Sequence, residues 1–285
     1  MSITVIGDVT NQVQKYWAPL FTKELRENLL LGGLVNKDYQ GQIKKGGDTV
    51  YVSQINAPTG QLLTVGTDAD SFTSSKISMS RVTVTANKRA VASYKVADEA
   101  ELQSQLADQN SEMRNSLRYA MDQQINDYLY TLAIPATSAP DHTVGSVSAM
   151  NAAAVNANRL LAATAKWDRA KGWFALLDPS YYTDVLADTT LMSADYGAAD
   201  RPVVGGQTSL PRYGFNILED NSLATDVGYF FHPDFMHLVM QTEVQVKVSD
   251  LHPLGQFGFL ISCDVIFGAS LGISGANKVI KNTAA

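Results

Sequence analysis

One serine lies in a pattern that is typical of hydrolases. Residues 268–272 read Gly-Ala-Ser-Leu-Gly, and a Gly-x-Ser-x-Gly segment after a strand can hold its serine, here Ser270, on a sharp turn where it attacks an acyl carbon. In that fold the acid and the histidine follow the serine in the chain, but residues 273–285 contain no Asp, Glu or His. We therefore interpret the segment as a glycine-bent strand end and keep an α/β hydrolase that uses Ser270 as a less favoured hypothesis.

Other residues that could bind metals or phosphates, or react as nucleophiles, lack the necessary spacing. The closest two of the four histidines are five residues apart across a proline, and no glycine-rich phosphate motif is present. Asp68 and Asp70 begin like a calcium loop, but Phe72 and Thr73 stand where such a loop needs an oxygen ligand and a glycine. The single cysteine, Cys263, alternates with apolar residues, which favours a buried, inert thiol. We predict a protein that is not an enzyme and uses no metal or cofactor.

The composition is that of a folded, acidic protein. The chain has 285 residues, 45% hydrophobic and 18% charged, enough to bury a core in one large or two interlocked domains. Its 22 basic and 28 acidic residues give a formal net charge of −6, whereas a protein that grips nucleic acid through its phosphates needs a basic excess. No apolar run approaches the roughly 20 residues that cross a bilayer, and no signal-peptide pattern opens the chain. We expect a soluble protein made in the cytosol that binds no membrane.

The first long elements are strands of period two. Valines alternate with Tyr and Ser in residues 50–53, and a second alternating run covers residues 77–86. The apolar residues of this second run change phase near Arg81 and Val82. The pattern predicts a long hairpin with a β-bulge at that point, followed by a further strand over residues 89–96.

A long amphipathic helix is predicted next. It begins at Asp98, an N-cap candidate with Glu101 in capping-box spacing, and ends before Pro135. A helix over residues 98–133 spans ~54 Å, about the ~50 Å diameter expected of a compact chain of this length. The molecule is therefore predicted to be flat or elongated.

The remaining sequence is typical of an inserted α/β region followed by a return to the first sheet. Short apolar runs between turn residues predict strands, and longer alanine-rich or amphipathic runs predict helices. The predicted elements are a helix over 149–165, a strand over 173–177, a turn at Asp178-Pro179, a helix over 180–187, a loop from Met192 to Pro211, strands over 215–218 and 229–231, and closing strands over 243–248 and 257–267.

Several apolar side chains in this scheme have no core around them. A two-stranded hairpin that projects alone buries too little apolar area to offset its ordering entropy, so Val50, Val52, Ile77 and Met79 need a cover. The opening arm, with one short helix that stops at Gly32-Gly33, has the same need. Its large apolar residues are Tyr16, Trp17, Leu20 and Phe21. These groups either fold back on their own chain or dock on neighbouring copies, and the helix length favours docking.

The order and spacing of several segments are similar to those of one protein family. The segments are residues 34–41 (Leu-Val-Asn-Lys-Asp-Tyr-Gln-Gly), 45–50 (Lys-Gly-Gly-Asp-Thr-Val), 173–182 (a strand, Asp178-Pro179 and Tyr181-Tyr182), 210–217 (Leu-Pro-Arg-Tyr-Gly-Phe-Asn-Ile), 267–272 and 279–280. Together they resemble the tailed-bacteriophage major capsid proteins of the HK97-like fold, over roughly Tyr16 to Ile280.

The resemblance implies an α+β fold of five regions. They are an N-terminal arm (1–46), an extended E-loop hairpin (47–86), the strand and long spine helix of a P-domain that also holds a sheet (87–135), an α/β A-domain (136–235) and a return to the P-domain (236–285). The arm is too short for the cleaved scaffolding domain of some relatives, which implies a separate scaffold protein. The Lys-to-Asn links of other relatives find no matching motif, so we predict noncovalent assembly.

The resemblance also implies a function. The chain would be a major capsid protein that self-assembles through pentamers and hexamers into an icosahedral shell enclosing the phage genome, located in the virion after assembly in the host cytoplasm. Implied partners are further copies, a scaffold, a portal, a decoration protein and packaged DNA contacted non-specifically. The predicted assembly interface comprises Tyr16, Trp17, Phe21, Thr59, Gly60, Gln61, Leu62, Ile77 and Met79. Two further functions compete with this one: an encapsulin-like shell of the same fold around protein cargo, and a monomeric binding module.

Overall fold

The computed structural model describes residues 29–39, 48–64, 73–98, 110–135, 144–192, 209–241, 245–252 and 255–284. The fold is α+β, as predicted. Its described helices are α1 (Leu31–Leu34), α2 (Asn110–Leu132), α3 (Ala152–Thr164), α4 (Pro179–Ala187) and α5 (Thr189–Met192). Within these ranges, no helix combines the length and the apolar character that crossing a bilayer requires.

The described strands form three sheets. They are β1 (Thr49–Ile55), β2 (Met79–Thr85), β3 (Lys88–Val96), β4 (Val144–Ser146), β5 (Trp173–Leu177), β6 (Ser209–Arg212), β7 (Phe215–Glu219), β8 (Val227–Phe231), β9 (Met236–Met240), β10 (Gln245–Asp250), β11 (Phe259–Leu271) and β12 (Val279–Thr283). Strands β1 and β2 pair as a hairpin; β10, β11 and β3 form a second sheet in which β9 also pairs with β11. The third sheet has the order β4-β12-β8-β5-β7-β6, so the closing segment contributes strands to both larger sheets.

The long helix α2 packs on the sheet of β3 and β11. Side chains four residues apart share a helix face, and the buried stripe of α2 has this spacing. It consists of Leu117, Met121, Ile125 and Leu129. Opposite the helix, alternate residues of β11 from Ile261 to Phe267 are buried on one face, as their period of two predicts. Asp98 has helical backbone geometry, but residues 99–109 lie outside the described residues, so the full predicted length of this helix stays a prediction.

The six-stranded sheet is covered on both faces. Its central strand β5 is an almost continuous buried run, which is typical of a sheet with layers on either side. One face, with Trp173, Phe215 and Phe230, forms a core together with α3 and α4. The other face, with Leu176 and Phe231, joins the core beneath α2. The two larger sheets are therefore packed through one shared core.

Buried carboxylates connect these layers. The carboxylate of Asp178 caps α4 by accepting hydrogen bonds from the amides of Ser180 (3.1 Å) and Tyr181 (3.2 Å), and Pro179 occupies the first turn. Between the helix layer and the sheet, the Tyr130 hydroxyl donates to Oδ2 of the buried Asp220 at 2.5 Å. The predicted Asp178-Pro179 turn is thus a helix N-terminus.

Three predicted boundaries are wrong. Gly32-Gly33 does not stop a helix but lies inside α1. The loop predicted to run to Pro211 ends earlier, because residues 209–212 pair with β7; proline is tolerated there since β6 is the edge strand of its sheet. Strand β11 continues past residue 267 to Leu271, where it pairs with β9. Strand β9 was not predicted, because Met-His-Leu-Val-Met is buried on both faces and shows no alternation.

Candidate assembly surface

The pairing of the hairpin strands is regular. β1 and β2 are antiparallel, and their register runs without interruption from Thr49 opposite Thr85 to Ile55 opposite Met79. The bulge predicted near Arg81 and Val82 is therefore wrong. The change of phase in the sequence has another cause: the apolar residues of β2 move from one face of the hairpin to the other along its length.

The root of the hairpin is covered by its own chain. Val50, Val52 and Val84 share one face and are at most 5% exposed, in a cluster with Ala86 and with Val239 of β9. The expectation that Val50 and Val52 need a neighbouring copy is thus wrong. The backbones also approach closely here, because a Cβ at Gly268 of β11 would lie 2.0 Å from the Thr85 carbonyl oxygen. The root is fixed on the body of the molecule.

The opposite face of the hairpin is exposed. Ile55 is 64% and Met79 65% exposed, and they face each other across the strand pair. Ile77, two residues before Met79, is 79% exposed. Closer to the root, the Arg81 guanidinium lies 4.6 Å from the centre of the Tyr51 ring, so this part of the face is a cation–π pair. We call Ile55, Ile77 and Met79 the distal apolar face.

Beyond the paired strands, the two limbs of the hairpin stay connected by side chains. Gln61 donates from Nε2 to the Thr73 carbonyl (3.2 Å) and accepts at Oε1 from the Thr73 amide (3.1 Å). Asn56 donates from Nδ2 to the Ser78 hydroxyl at 3.2 Å. The Gln61–Thr73 and Asn56–Ser78 contacts hold the two limbs together but leave their side chains exposed to solvent. The described part of the projecting hairpin has no apolar layer of its own at this distance from the body.

The predicted interface residues fall into three groups. Ile77 and Met79 belong to the distal apolar face. The four residues 59–62 form an exposed segment without regular secondary structure, in which Leu62 is fully exposed and Gln61 bonds across to the other limb. Tyr16, Trp17 and Phe21 lie outside the described residues.

Sequence reasoning missed one member of the distal apolar face. Ile55 belongs to the same face as Tyr51 and Ser53, because side chains of a strand alternate. Extending the alternation of residues 50–53 by two positions would have placed Ile55 on the exposed side. The pairing of Ile55 with Met79 could not be read from the sequence, because it depends on the register.

A polar cluster lies beside the hairpin root. Asp234 accepts hydrogen bonds from Lys171 Nζ (2.7 Å) and from Asn36 Nδ2 (2.8 Å). Burial alone would raise the pKa of Asp234, but the hydrogen bonds from these two side chains hold it below its ordinary value. The hydrogen bond with Asp234 also raises the pKa of Lys171. A parallel bridge between Asn36 and His237 joins this cluster to β9. The cluster connects the segment after α1 to two distant parts of the chain.

Burial disfavours the charged form of the two histidines of this region. His232 and His237 are 3% and 6% exposed, and burial lowers the pKa of both. His232 accepts at Nδ1 from the Asp234 amide at 3.1 Å. Among the described residues, no group of three or more His, Cys, Asp or Glu side chains could hold a metal ion. Asp68, Asp70 and Phe72 lie outside that part of the chain.

Neither a family model nor a curated protein matches this chain. Solved structures match it over nearly its entire length. A chain from Mycobacterium phage Che8 has a TM-score of 0.75 at 17% identity, covering 95% of this chain and 96% of that one. A chain of the Cyanophage Pam1 capsid asymmetric unit has a TM-score of 0.71 at 13% identity, and the match covers 97% of this chain and 97% of that one. A chain of the Cyanophage P-SCSP1u capsid has a TM-score of 0.66 at 16% identity, and the match covers 97% of this chain and 94% of that one. This chain has the fold of phage capsid subunits.

Within the capsid fold, Ser270 is not on a nucleophile elbow. It lies inside β11 and is paired with His237 of β9. Its hydroxyl donates to the Leu271 carbonyl at 3.3 Å, and no hydrogen bond joins it to His237 among the described contacts. A serine nucleophile needs a sharp strand-to-helix turn and a base in hydrogen-bond reach. The hydrolase hypothesis is therefore wrong.

The single cysteine of the chain, Cys263, lies in surroundings that disfavour reaction of its thiol. Cys263 is fully buried in the core between β11 and α2. Burial raises the pKa of its thiol, which disfavours the thiolate. This agrees with the buried, unreactive cysteine predicted from its alternating neighbours.

Proposed function

We propose that this protein is a major capsid protein, which self-assembles through pentamers and hexamers into an icosahedral shell that encloses a phage genome. One observation carries the proposal: the hairpin is anchored at its root by buried valines, yet presents Ile55, Ile77 and Met79 to solvent at its distal end. A fold shared with phage capsid subunits supports the same conclusion. An exposed apolar face on a hairpin that is anchored at its root is typical of a surface that another molecule covers.

The regions of the chain take their roles from this proposal. Neighbouring subunits are reached by the arm (1–46) and by the E-loop hairpin (47–86). The P-domain consists of the strand and spine helix (87–135) together with the return segment (236–285). The A-domain, residues 136–235, lies at the centre of each ring. A hairpin that covers a different surface of the next copy makes a heterologous contact, and such contacts form rings when the rotation between neighbouring copies closes. The interface includes the nine residues predicted from the sequence, with Ile55 added.

The energetics suit a repeated weak contact. Burying a side chain such as Ile, Leu or Met contributes roughly 1.5–3 kcal/mol. The three side chains of the distal apolar face therefore supply only a modest net energy for each pair of subunits once the entropic cost of association is subtracted. Rings and shells repeat that contact in every subunit. The net charge of −6 suits packaged DNA that is contacted non-specifically and can slide. A scaffold, a portal and a decoration protein complete the proposed set of partners, in the virion and in the host cytoplasm.

A double substitution tests the proposal. Ile77→Ser with Met79→Ser removes most of the distal apolar face, and we expect it to abolish particles in electron microscopy while the thermal midpoint of the free subunit stays within about 2 °C of wild type, since both residues are exposed. The matched control, Ile77→Val with Met79→Leu, keeps most of the apolar area and should assemble. Normal particles from the serine variant would contradict the proposed role of this face.

A deletion tests whether the entire distal end of the hairpin is required for assembly. Removing residues 58–75 leaves β1 and β2 with their register intact and should give a folded subunit that does not assemble. If wild-type subunits form particles, their contents decide between two shells of the same fold. DNA in native particles supports a capsid, whereas protein cargo would identify an encapsulin-like shell.

A further inference from the structure

The root of the hairpin rests on one face of β9. Side chains alternate along a strand, so His237 and Val239 share a face of β9, and Val239 belongs to the buried cluster of Val50, Val52 and Val84 at the root. His237 and Val52 also line one polar cavity of about 170 Å³. A titratable side chain therefore lies where the hairpin meets the body of the molecule.

The surroundings of His237 suit a neutral imidazole. The residue is 6% exposed, and its Nδ1 has no hydrogen-bond partner among the described atoms. A protonated imidazole donates from both ring nitrogens, and a buried donor without an acceptor costs the free energy of its lost hydration. Burial accordingly lowers the pKa of His237. Protonation of this residue is therefore unfavourable while the root is packed.

The charged groups around His237 do not offset this cost. Asp38 and Asp234 attract a proton on the imidazole, whereas Lys171 and Lys278 repel it. Two carboxylates are thus opposed by two ammonium groups, and Asp234 is already bound to Lys171 at 2.7 Å. The other described walls of the cavity carry no charge: Asn36, Tyr39, Val52, Ser53, Gln54 and Ile273. Burial consequently decides the protonation state of His237.

Tyr39 connects this imidazole to the hairpin root. Its ring packs edge-on against that of His237, with 5.2 Å between the ring centres, and also packs against the valine cluster of the root. On another side, a Cβ at Gly272 would lie 3.1 Å from Nε2 of His237, and the Gly272 amide is bonded to the Phe235 carbonyl at 2.8 Å. The body holds that side in place. A protonated imidazole therefore gains water most readily by displacing Tyr39 and the root.

We infer that protonation of His237 releases the hairpin root from β9, so that the hairpin has a fixed orientation at neutral pH and a variable one in acid. In the released state the imidazole is hydrated and takes up a proton near its ordinary pKa of 6.5, which favours release below that pH. Release is a property of the free subunit. Its effect on assembly rests on the proposed function, because the hairpin carries the distal apolar face.

Hydrogen exchange of the free subunit tests the release. After correction for the intrinsic exchange rate, the amides of residues 50–54 and 80–84 should lose protection at least about fivefold between about pH 7.5 and pH 5.5, while those of residues 173–177 should stay within about twofold. His237→Gln cannot take up the proton and should limit the loss at the root to about twofold. His252→Gln, at an exposed histidine, is the matched control and should behave as wild type.

The outcomes separate this inference from the proposed function. Unchanged protection of the wild-type root in acid would overturn the release, and so would an equal loss in His237→Gln. An equal loss over residues 173–177 would mean that the entire subunit opens, which also overturns it. None of these results affects the capsid function. A failure of wild type to form particles at neutral pH would contradict that function, and the release, measured on the free subunit, would stand.

Discussion

The six-stranded sheet and the hairpin bury their apolar residues in different ways. Strand β5 and its neighbours are covered on both faces by helices and by the second sheet, so the large side chains of β5 have their contacts within the chain. In the described part of the chain, the hairpin is covered on one face at its root, where its own Val50, Val52 and Val84 pack with Ala86 and Val239. The six-stranded region therefore provides most of the buried core that stabilises the subunit, whereas the hairpin presents an exposed apolar surface at its distal end.

The largest effect should follow from a cavity in the six-stranded region. Phe230 is fully buried, and its ring packs edge-on against Phe215 at 4.9 Å. Truncating a buried phenylalanine costs about 3–5 kcal/mol, so Phe230→Ala should lose most of the stability of the subunit in urea unfolding. A loss below about 1 kcal/mol would mean that this core does not dominate the stability, and the contrast with the hairpin would fail.

The next effect concerns the crossing of the hairpin root over β11. A Cβ at Gly268 would lie 2.0 Å from the Thr85 carbonyl oxygen and 2.8 Å from the Ala86 Cα, so Gly268→Ala must displace the backbone of the root. Overpacking of this kind costs about 1–3 kcal/mol, measurable by urea unfolding. Gly33→Ala is the matched control, since its Cβ would meet nothing within 4 Å. Equal midpoints for the two variants would contradict the close approach.

A pair of substitutions within the hairpin compares its two ends. Val84→Ala at the buried root should cost about 2 kcal/mol in the free subunit, from lost apolar burial and the cavity that remains. Met79→Ala at the exposed end should change the free subunit by less than about 0.5 kcal/mol and weaken assembly instead. Similar losses of subunit stability at both positions would show that the hairpin behaves as one unit.

The predicted elements show why local patterns succeed and distant contacts do not. Strand 173–177 was predicted with its observed bounds, because a short apolar run between a glycine and Asp-Pro allows few other structures. In the hairpin the same reasoning found the strands but explained the change of phase as a bulge. In the structure the apolar residues change from one face of the strand to the other because the root packs on the body and the distal end does not. That information lies in the packing against Val239 and Ile266, far away in the chain.

The polar cluster beside the hairpin root was beyond sequence reasoning for a related reason. Asn36, Lys171, Asp234 and Lys278 are separated by at least 44 residues in the chain, and no motif relates them. They meet because the segment after α1, the turn before β5, the segment before β9 and the turn before β12 converge on the hairpin root. Spacing reveals chemistry only when the groups lie on one element, and here each comes from a different one.

The smallest expected effect is a pH dependence at this convergence. Burial lowers the pKa of His232 and His237, Lys278 adds to the shift, and Asp234 opposes it. A histidine whose pKa is lower in the folded state binds fewer protons there than in the unfolded chain, so stability is full above the ordinary value of 6.5 and falls as the pH decreases below it. The thermal midpoint of the free subunit should therefore be level above about pH 7 and decline towards pH 5.

A substitution assigns this decline to the root and not to the six-stranded region. His237→Gln keeps a polar side chain but cannot take up the proton, so its midpoint should fall less steeply between about pH 6.5 and pH 5 than that of wild type, whatever its absolute value. His252 is exposed, and His252→Gln serves as the control. If His237→Gln declines as steeply as wild type, protonation at the root does not limit the stability of the subunit in acid, and the hairpin anchor is no more sensitive to pH than the body it is packed on.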